Sequence, residues 1–476
     1  MTSADDAPVF TARGGGWSKL WEGQTLKGDA AKNSDPSASW FARHRRLVAF
    51  ISPGVIAHMI WWTYAATHPS TFDLFSDVTA DTPNWYMCVT MAFGSMVAGA
   101  TSEGGASVAF PIMTLAFGIL PMVARDFSFM IQSAGMTAAA ATIVIMQVQV
   151  EMHSLLWATA GGIFGIILGL EEVAPRLEPS YSKMFFVCTW AAFAFSLFWL
   201  NRFYGRRVFD SVPAWDQGVV WRLRARPSPS SSPNVGGGGG IADSLLCAVS
   251  LNWKACVLFS CGFVGGLFSA ISGSGIDICT FSILTLLFRV SEKVATPTSV
   301  VLMAINTLVG FMYRQLAMGG VAPEAVRFFI VCAPVVVIGA PLGSLLGSHF
   351  HRLVLASMIY ITDGVQFIGA LAIVRPWSHH KTNTPVILSI CSVAILVLGS
   401  AMFTLLAKTG GRLLDDLERR EKAAIELDNN SEEKITGREG GGALPGGYEP
   451  HHTMTGTAET GTKTATADPQ PAVSAV

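Results

Sequence analysis

The chain has 476 residues, of which 51% are hydrophobic and only 14% are charged, whereas soluble proteins average about 25% charged residues. The charges are also unevenly placed, because 42 of the 65 Asp, Glu, Lys and Arg residues lie in three segments, 1–46, 201–254 and 408–476. Long apolar stretches with so few charges are typical of a polytopic membrane protein, so a soluble enzyme, a disordered scaffold and a nucleic-acid binder are excluded as first interpretations.

Apolar blocks follow one another along the chain from residue 47 to residue 407. The first, 47–66, follows the basic cluster 43–46 and precedes an acidic connection, so the positive-inside rule predicts a cytoplasmic N-terminus. Most blocks contain about 20 residues, enough to cross a hydrocarbon core about 30 Å thick. The further blocks are predicted at 85–102, 106–117, 127–147, 153–170, 183–200, 253–272, 276–288, 295–316, 324–347, 353–374 and 385–407.

Two pairs of these blocks are broken by small residues. The run 99–105 separates the first pair, and the run 269–275 separates the second. Backbone that is not helical is not tolerated in contact with lipid, so each break must be buried in protein or line a cavity. If each pair is a re-entrant hairpin, four crossings precede the basic loop 201–254 and four follow it. The loop and the C-terminal tail are then both cytoplasmic, like the N-terminus.

Five segments are predicted along the chain. A cytoplasmic N-terminal segment, 1–46, precedes the first membrane half, 47–200, which includes an extra N-terminal helix. The linker 201–252 is basic and rich in Pro, Ser and Gly, so we expect it to be flexible and cytoplasmic. It leads to the second membrane half, 253–407. The tail, 408–476, begins with a charged helical stretch and is otherwise expected to be disordered in the cytoplasm.

The two halves match at one constant offset in residue number. The matched positions are Gly94 with Gly265, Thr101 with Ser272, Gly104 with Gly275, 123–124 with 294–295, and Ser128 with Ser299. The predicted fold class is therefore all-α, a polytopic membrane protein with two inverted repeats and one extra N-terminal transmembrane helix. Each repeat has a broken or re-entrant helix pair and about three transmembrane helices. Such repeats are typical of secondary transporters that bind substrate near the membrane midplane.

At these motifs the sequence resembles the TauE/SafE family of sulfite and organosulfur anion exporters. The motif is a glycine-rich run, an apolar stretch, Pro-x-x-Ala and a Thr-Ser pair, and it occurs at 104–128 and at 273–299. The resemblance covers about residues 85–407. It implies an integral, multi-pass exporter of small anions such as sulfite, sulfoacetate or related organosulfur compounds, and not an enzyme. Three positions depart from the family pattern, namely Ala106, Asp277 and Ser282.

The short second pieces of the broken pairs begin near Gly105 and Gly275, so two helix N-termini would point into one cavity. Such ends carry partial positive charge and unpaired N–H donors, and they bind oxyanions without a cationic side chain. The alternative is that the small residues only let helices pack closely. The predicted substrate-binding residues are Ser102, Gly104, Gly105, Ser107, Ser128, Ser272, Gly273, Ser274, Gly275, Thr298 and Ser299, with Gln132 and Asn306 as secondary polar contacts.

Charged residues near the breaks leave two interpretations open. Glu103 and Asp277 are candidates for proton coupling, because acids within membrane segments are often functional. Both also fit the role of a helix N-terminal cap. Arg125 and Lys293 occupy equivalent short connections, where they either attract anions or anchor the helices at the interface, and we favour the anchor.

We expect no cofactor and no metal site, because the sequence has no metal-ligand spacing, no nucleophile with a base and no Walker-type loop. The expected partners are a small anionic substrate and the lipid bilayer, without nucleic acid; a homo-oligomer is compatible with the sequence. Two alternative functions stay open, an uncoupled anion channel and a membrane scaffold or sensor whose loop and tail recruit partners. The sequence does not indicate which membrane holds the protein.

Overall fold

The computed structural model of the chain describes residues 40, 44–76, 84–101, 103–201, 208–215, 221–222, 250–350, 352–377 and 384–439. This described part is almost wholly helical, which confirms the all-α part of the predicted fold class. Nine of its helices are long and apolar enough to cross a membrane.

The first half contains the predicted extra helix, a broken pair and three long helices. The extra helix, α1, is followed by a short 3-10 turn at Pro69–Thr71 and by one helical turn, α2. The bounds are α1 Arg45–Thr67, α2 Asp73–Ser76, α3 Asn84–Ala100, α4 Ala106–Pro111 continued by a π-helical turn Ile112–Ala116, α5 Pro121–Met146, α6 Met152–Leu168 and α7 Pro179–Asn201. Between α6 and α7 the chain forms a π-helical turn, Gly169–Val173, and a 3-10 turn, Ala174–Arg176.

The second half has the same order of elements. A two-stranded antiparallel ladder, β1 (Trp221–Arg222) with β2 (Ser250–Leu251), precedes it. The helices are α8 Trp253–Ser272, α9 Ile276–Ser282 continued by a π-helical turn Ile283–Leu287, α10 Glu292–Leu316, α11 Pro323–His349, α12 Arg352–Val374 and α13 Thr384–Glu439. Both predicted broken pairs are therefore present as a long helix, a short non-helical break and a short helix.

Helix boundaries repeat between the halves at the same offset as the sequence motifs. The π-helical turn Ile112–Ala116 corresponds to Ile283–Leu287. In the same way, the start of α5 at Pro121 corresponds to Glu292, and the start of α6 at Met152 corresponds to Pro323. The repeat thus extends to local structure, whereas the inversion of one half relative to the other stays a prediction.

Local signals in the sequence account for where these helices begin. Pro121 and Pro323 occupy the first position of α5 and α11, where proline lacks only an N–H that has no helical partner. The side chain of Asn252 caps α8 by accepting a hydrogen bond of 2.7 Å from the amide of Ala255. These three helices therefore begin at ordinary helix-start residues, and their apolar content alone does not set where they begin.

The first helix of each broken pair crosses a helix of the opposite half at very short range. A Cβ on Gly262 of α8 would lie 2.1 Å from the carbonyl oxygen of Ala158 in α6. A Cβ on Gly343 of α11 would lie 2.1 Å from the carbonyl oxygen of Met96 in α3. Both crossings are glycine-mediated, as is common where membrane helices approach closely. The two halves are therefore packed together through α3 with α11 and α8 with α6.

We expect Gly262→Ala to destabilise the protein by about 1–3 kcal/mol, because the added methyl group forces the α8 and α6 backbones apart. The control is Gly364→Ala in α12, where a Cβ meets no atom within 4 Å. Thermal unfolding of each purified variant in detergent measures its unfolding midpoint. An equal midpoint for the two variants would show that the α8–α6 crossing is not under this constraint.

The linker is more ordered in its described residues than the sequence predicts. Residues 208–215 pack against the membrane region, and the side chains of Val212 and Trp215 are buried. Phe209 pairs with the connection before α10, donating its N–H to Arg289 and accepting one from Ser291. The predicted flexibility of 201–252 therefore does not extend to this segment, because its apolar side chains have a surface to cover.

The last helix continues beyond the predicted end of the membrane half at residue 407. Helix α13 runs without interruption from Thr384 to Glu439, so the charged stretch expected after the last crossing is its continuation. The chain divides into two units, Met1–Asp416 and Leu417–Val476. The predicted disorder of the tail concerns mostly residues after 439, which lie outside the described part of the chain.

Candidate functional site

The two helix breaks, 101–105 and 273–275, meet in the interior of the first unit. The hydroxyl of Ser274 donates a hydrogen bond of 3.3 Å to the carbonyl oxygen of Glu103. The side-chain amide of Gln132 in α5 donates a hydrogen bond of 2.7 Å from Nε2 to the carbonyl oxygen of Gly273. These contacts join two segments that are distant in the sequence and place the starts of α4 and α9 in one buried region.

At Gly104 of the first break, side chains from α5, α9 and α10 converge. A Cβ there would lie 2.6 Å from Oε1 of Gln132, 2.6 Å from Sδ of Met303 in α10, and 2.9 Å from Oδ2 of Asp277. Its φ of +72° is also one that glycine adopts at little cost. Only the absence of a side chain at Gly104 lets these groups converge.

At the second break, the N–H groups of Gly275 and Ile276 are occupied by the protein itself. Asp277 accepts hydrogen bonds from the amide of Gly275 at 2.8 Å and from the hydroxyl of Ser274 at 2.7 Å. The amide of Ile276 donates to the hydroxyl of Ser269 at 3.2 Å. These contacts are those of a helix cap, the second of the two interpretations that the sequence left open for Asp277.

The first break is arranged differently. The hydroxyl of Ser107 donates to the carbonyl oxygen of Gly104 at 2.7 Å. No acceptor among the described residues contacts the amides of Gly105 and Ala106, which open the short apolar helix Ala106–Ala116. The start of a helix carries partial positive charge, which favours the binding of an anion. Ser102, also predicted to bind substrate, lies outside the described residues.

The polar residues predicted on the long helices divide into two groups. Ser128 packs on Gly273, whose Cβ would lie 2.4 Å from the Cβ of Ser128. Ser272 closes its own break by donating to the carbonyl oxygen of Ser274 at 2.8 Å. Ser299 lies one helical turn before Met303 on α10 and donates to the carbonyl oxygen of Thr296. Together with Gln132, these residues line the region where the breaks meet.

Thr298 and Asn306 make their contacts away from Gly104. The hydroxyl of Thr298 accepts a hydrogen bond of 2.8 Å from the amide of Glu151, at the start of α6. Burial raises the pKa of Glu151, but hydrogen bonds with His153 and Ser154 outweigh it, so this pKa lies below its ordinary value. The side chain of Asn306 faces Gly162 of α6, whose Cβ would lie 2.4 Å from Oδ1.

Two buried acids lie side by side at the first break. The side chain of Glu103 is fully buried, and two further acids, Asp363 of α12 and Asp277 of α9, lie close enough to interact with it. None of the four carboxyl oxygens of Glu103 and Asp363 has a hydrogen-bond donor among the described residues. The sequence gives no signal for Asp363, because α12 shows no break and no motif around it.

A buried ion cluster lies near the N-terminal end of α5. Asp126 accepts hydrogen bonds from Arg125 at 2.8 Å and from Arg314 of α10 at 2.9 Å. Arg125 also lines a cavity of about 210 Å³, whose other lining residues are Leu120, Pro121, Met122, Ala174, Leu177, Pro179, Ser182 and Ile271. Arg125 is therefore held by Asp126 beside a cavity, whereas Lys293, in the first turn of α10, is exposed.

A family model described as "Sulfite exporter TauE/SafE" matches residues 86–362 of the chain, which include both breaks and the helices that surround them. No curated protein matches the chain, and no solved structure matches it either.

Proposed function

Because the chain belongs to the TauE/SafE family of sulfite exporters, we propose that it is a secondary transporter that exports small anions such as sulfite, sulfoacetate or related organosulfur compounds. The observation that carries this proposal is the meeting of the two helix breaks in a buried region. The amides of Gly105 and Ala106, which contact no acceptor among the described residues, can donate there to an oxyanion at the positive end of a helix. No cationic side chain is required for such binding.

The structure supports a division of roles between the two breaks. The second break holds the protein's own carboxylate, Asp277, on the amide of Gly275 and the hydroxyl of Ser274. The first break offers its amides to a ligand and is therefore the place where we put the substrate. Ser107 and Gln132 border this place from α4 and α5.

We further propose that transport proceeds by alternating access between two inverted repeats, with the N- and C-termini in the cytoplasm. The support is the agreement of helix boundaries at one offset and the mutual crossings of α3 with α11 and α8 with α6. Substrate sites at discontinuous helices between inverted repeats are typical of secondary transporters.

The test is counterflow of labelled sulfoacetate into proteoliposomes that contain the purified full-length chain. We expect saturable uptake that unlabelled internal sulfoacetate accelerates and external sulfite inhibits, with chloride as the weakest competitor. Liposomes without protein are the control. A channel would show uptake without counterflow, and a scaffold or sensor would show none. Either result contradicts the proposal, as does the failure of every anion to stabilise the purified protein against heat.

A further inference from the structure

The carboxyl groups of Glu103 and Asp363 face each other in the protein interior. Glu103 is 0% exposed and Asp363 is 1% exposed. They lie within hydrogen-bonding range of each other, and no donor among the described residues serves either group. Since an ionised carboxylate only accepts hydrogen bonds, their contact becomes a hydrogen bond only when one of them carries a proton.

Among the described residues, no positively charged side chain interacts with this pair. The group of α9 that faces Glu103 is another acid, Asp277, and α5 faces it with the uncharged Gln132. Helices α3 and α4 contain no charged residue, and α7, which packs against α12, contains only Lys183, in its first turns. Isolated buried carboxylates are strongly disfavoured, so two of them in contact hold at least one proton between them.

One further buried acceptor beside the first break has no partner. Oε1 of Gln132, close to Gly104, is buried without a donor among the described residues. Buried polar groups in native proteins almost always find partners, so each such atom requires an explanation. For the two carboxyl groups, a bound proton supplies the donor that a pair of carboxylates lacks.

We propose that Glu103 and Asp363 form a proton-binding site that couples proton movement to the movement of the substrate anion. This inference rests on the proposed function. With one proton, the O–H of one carboxyl donates to the other carboxylate, and the pair carries one negative charge. A second proton makes the pair neutral. An anion at the amides of Gly105 and Ala106 is repelled by the charged pair and tolerated by the neutral pair, so anion and proton cross the membrane in the same direction.

The proton site itself is tested by infrared spectroscopy of the purified full-length chain, without any anion. The wild-type protein is expected to show the carbonyl stretching band of a protonated, buried carboxyl, which shifts in D₂O. In Glu103→Gln and in Asp363→Asn this band shifts in frequency, because the remaining buried carboxyl keeps a proton but has lost its carboxylate partner. Glu324→Gln, an exposed carboxyl exchanged for an amide at the start of α11, is the control and leaves the band unshifted. If the band is absent from the wild type, or is unchanged in both variants, no proton is held by the pair.

Coupling is tested in proteoliposomes that contain a pH-sensitive dye, with sulfoacetate as the probe. Its acidic groups are ionised near neutral pH, so any proton that enters must be carried by the protein. We expect sulfoacetate uptake by the wild type and by Glu324→Gln to acidify the lumen, and Asp363→Asn to abolish this acidification. Sulfoacetate uptake without acidification in the wild type overturns the coupling and leaves the transport function standing. No uptake at all overturns the transport function, whatever the infrared band shows.

Discussion

Replacement of Asp126 by alanine is expected to lower the free energy of unfolding by about 3–5 kcal/mol, the usual cost of removing one partner from a buried ion pair. Asp126 is fully buried and lies between two guanidinium groups. It accepts four hydrogen bonds from Arg125 and Arg314 at 2.8–3.1 Å and a fifth from the amide of Ala322 at 3.1 Å. Without it, two buried cations lose their counter-charge. The cluster also joins α5 of the first half to α10 and the start of α11 in the second half. Its loss therefore weakens the contact between the two halves.

The matched control is Glu172→Ala, which removes the acid of the exposed pair between Glu172 and Arg176. Exposed ion pairs contribute about 0–1 kcal/mol, so this variant is expected to unfold at nearly the wild-type temperature. The unfolding temperatures of the two variants are measured in detergent, with tryptophan fluorescence as the signal. If Asp126→Ala unfolds within one or two degrees of Glu172→Ala, the buried cluster does not hold the halves together.

Replacement of Gly275 by alanine is expected to reduce anion transport by at least about tenfold, the effect of about 1.4 kcal/mol on a rate. Its φ of +155° lies in a region that is essentially restricted to glycine. In addition, a Cβ there would lie 2.5 Å from the Cβ of Phe268. The break must therefore move, and the hydrogen bond from the amide of Gly275 to Asp277 moves with it. This shift displaces Ser274 from its contact with the first break.

Gly319→Ala separates the effect of the break from the effect of left-handed backbone alone. Gly319 lies in the connection between α10 and α11, has a φ of +79°, and would place a Cβ in open space. We expect it to cost about 1–2 kcal/mol of stability and to leave the transport rate of the folded protein unchanged. Counterflow per folded molecule, determined after size-exclusion chromatography, compares the two variants. Equal rates for Gly275→Ala and Gly319→Ala would remove the second break from the transport site.

Much of the helical architecture could be predicted from the sequence, because the signals are strong and local. The glycine runs at 99–105 and 269–275 cannot continue a membrane helix, and the structure has its breaks at 101–105 and 273–275. The constant offset between the halves indicated that these breaks are equivalent. The contact between the two breaks was a hypothesis, because the equivalence of two segments does not determine whether they touch.

The residues without a predicted role belong to contacts that leave no local signal. Asp363 is the single acid of α12, and its neighbour Glu103 is distant in the sequence. Asp126 follows Arg125 directly, but its second partner, Arg314, is 188 residues away. Pairings of this kind depend on which helix faces which, and helix packing is decided by surface shape over many residues.

In α13, the predicted end of the membrane half and the end of the helix are two different boundaries. The change from apolar to charged residues near 408 is the edge of the hydrophobic block, but it is not the end of the helix. Oppositely charged residues four positions apart, such as Glu418 and Lys422, are neighbours on the helix surface. Such pairs stabilise a helix that is exposed to water. Hydrophobicity therefore delimits the membrane crossing and not the helix.

The glycine crossings have a consequence for biosynthesis. Helix α3 is made early, yet the backbone that fits against its glycine and alanine surface belongs to α11, which leaves the ribosome only after most of the chain has been translated. Until then the first hairpin has no permanent neighbour on that side. We therefore expect the nascent first half to depend on chaperones or lipid for protection, and truncated chains that end before Pro323 to be degraded. Two fragments divided in the linker, expressed together, would restore the missing surface in trans.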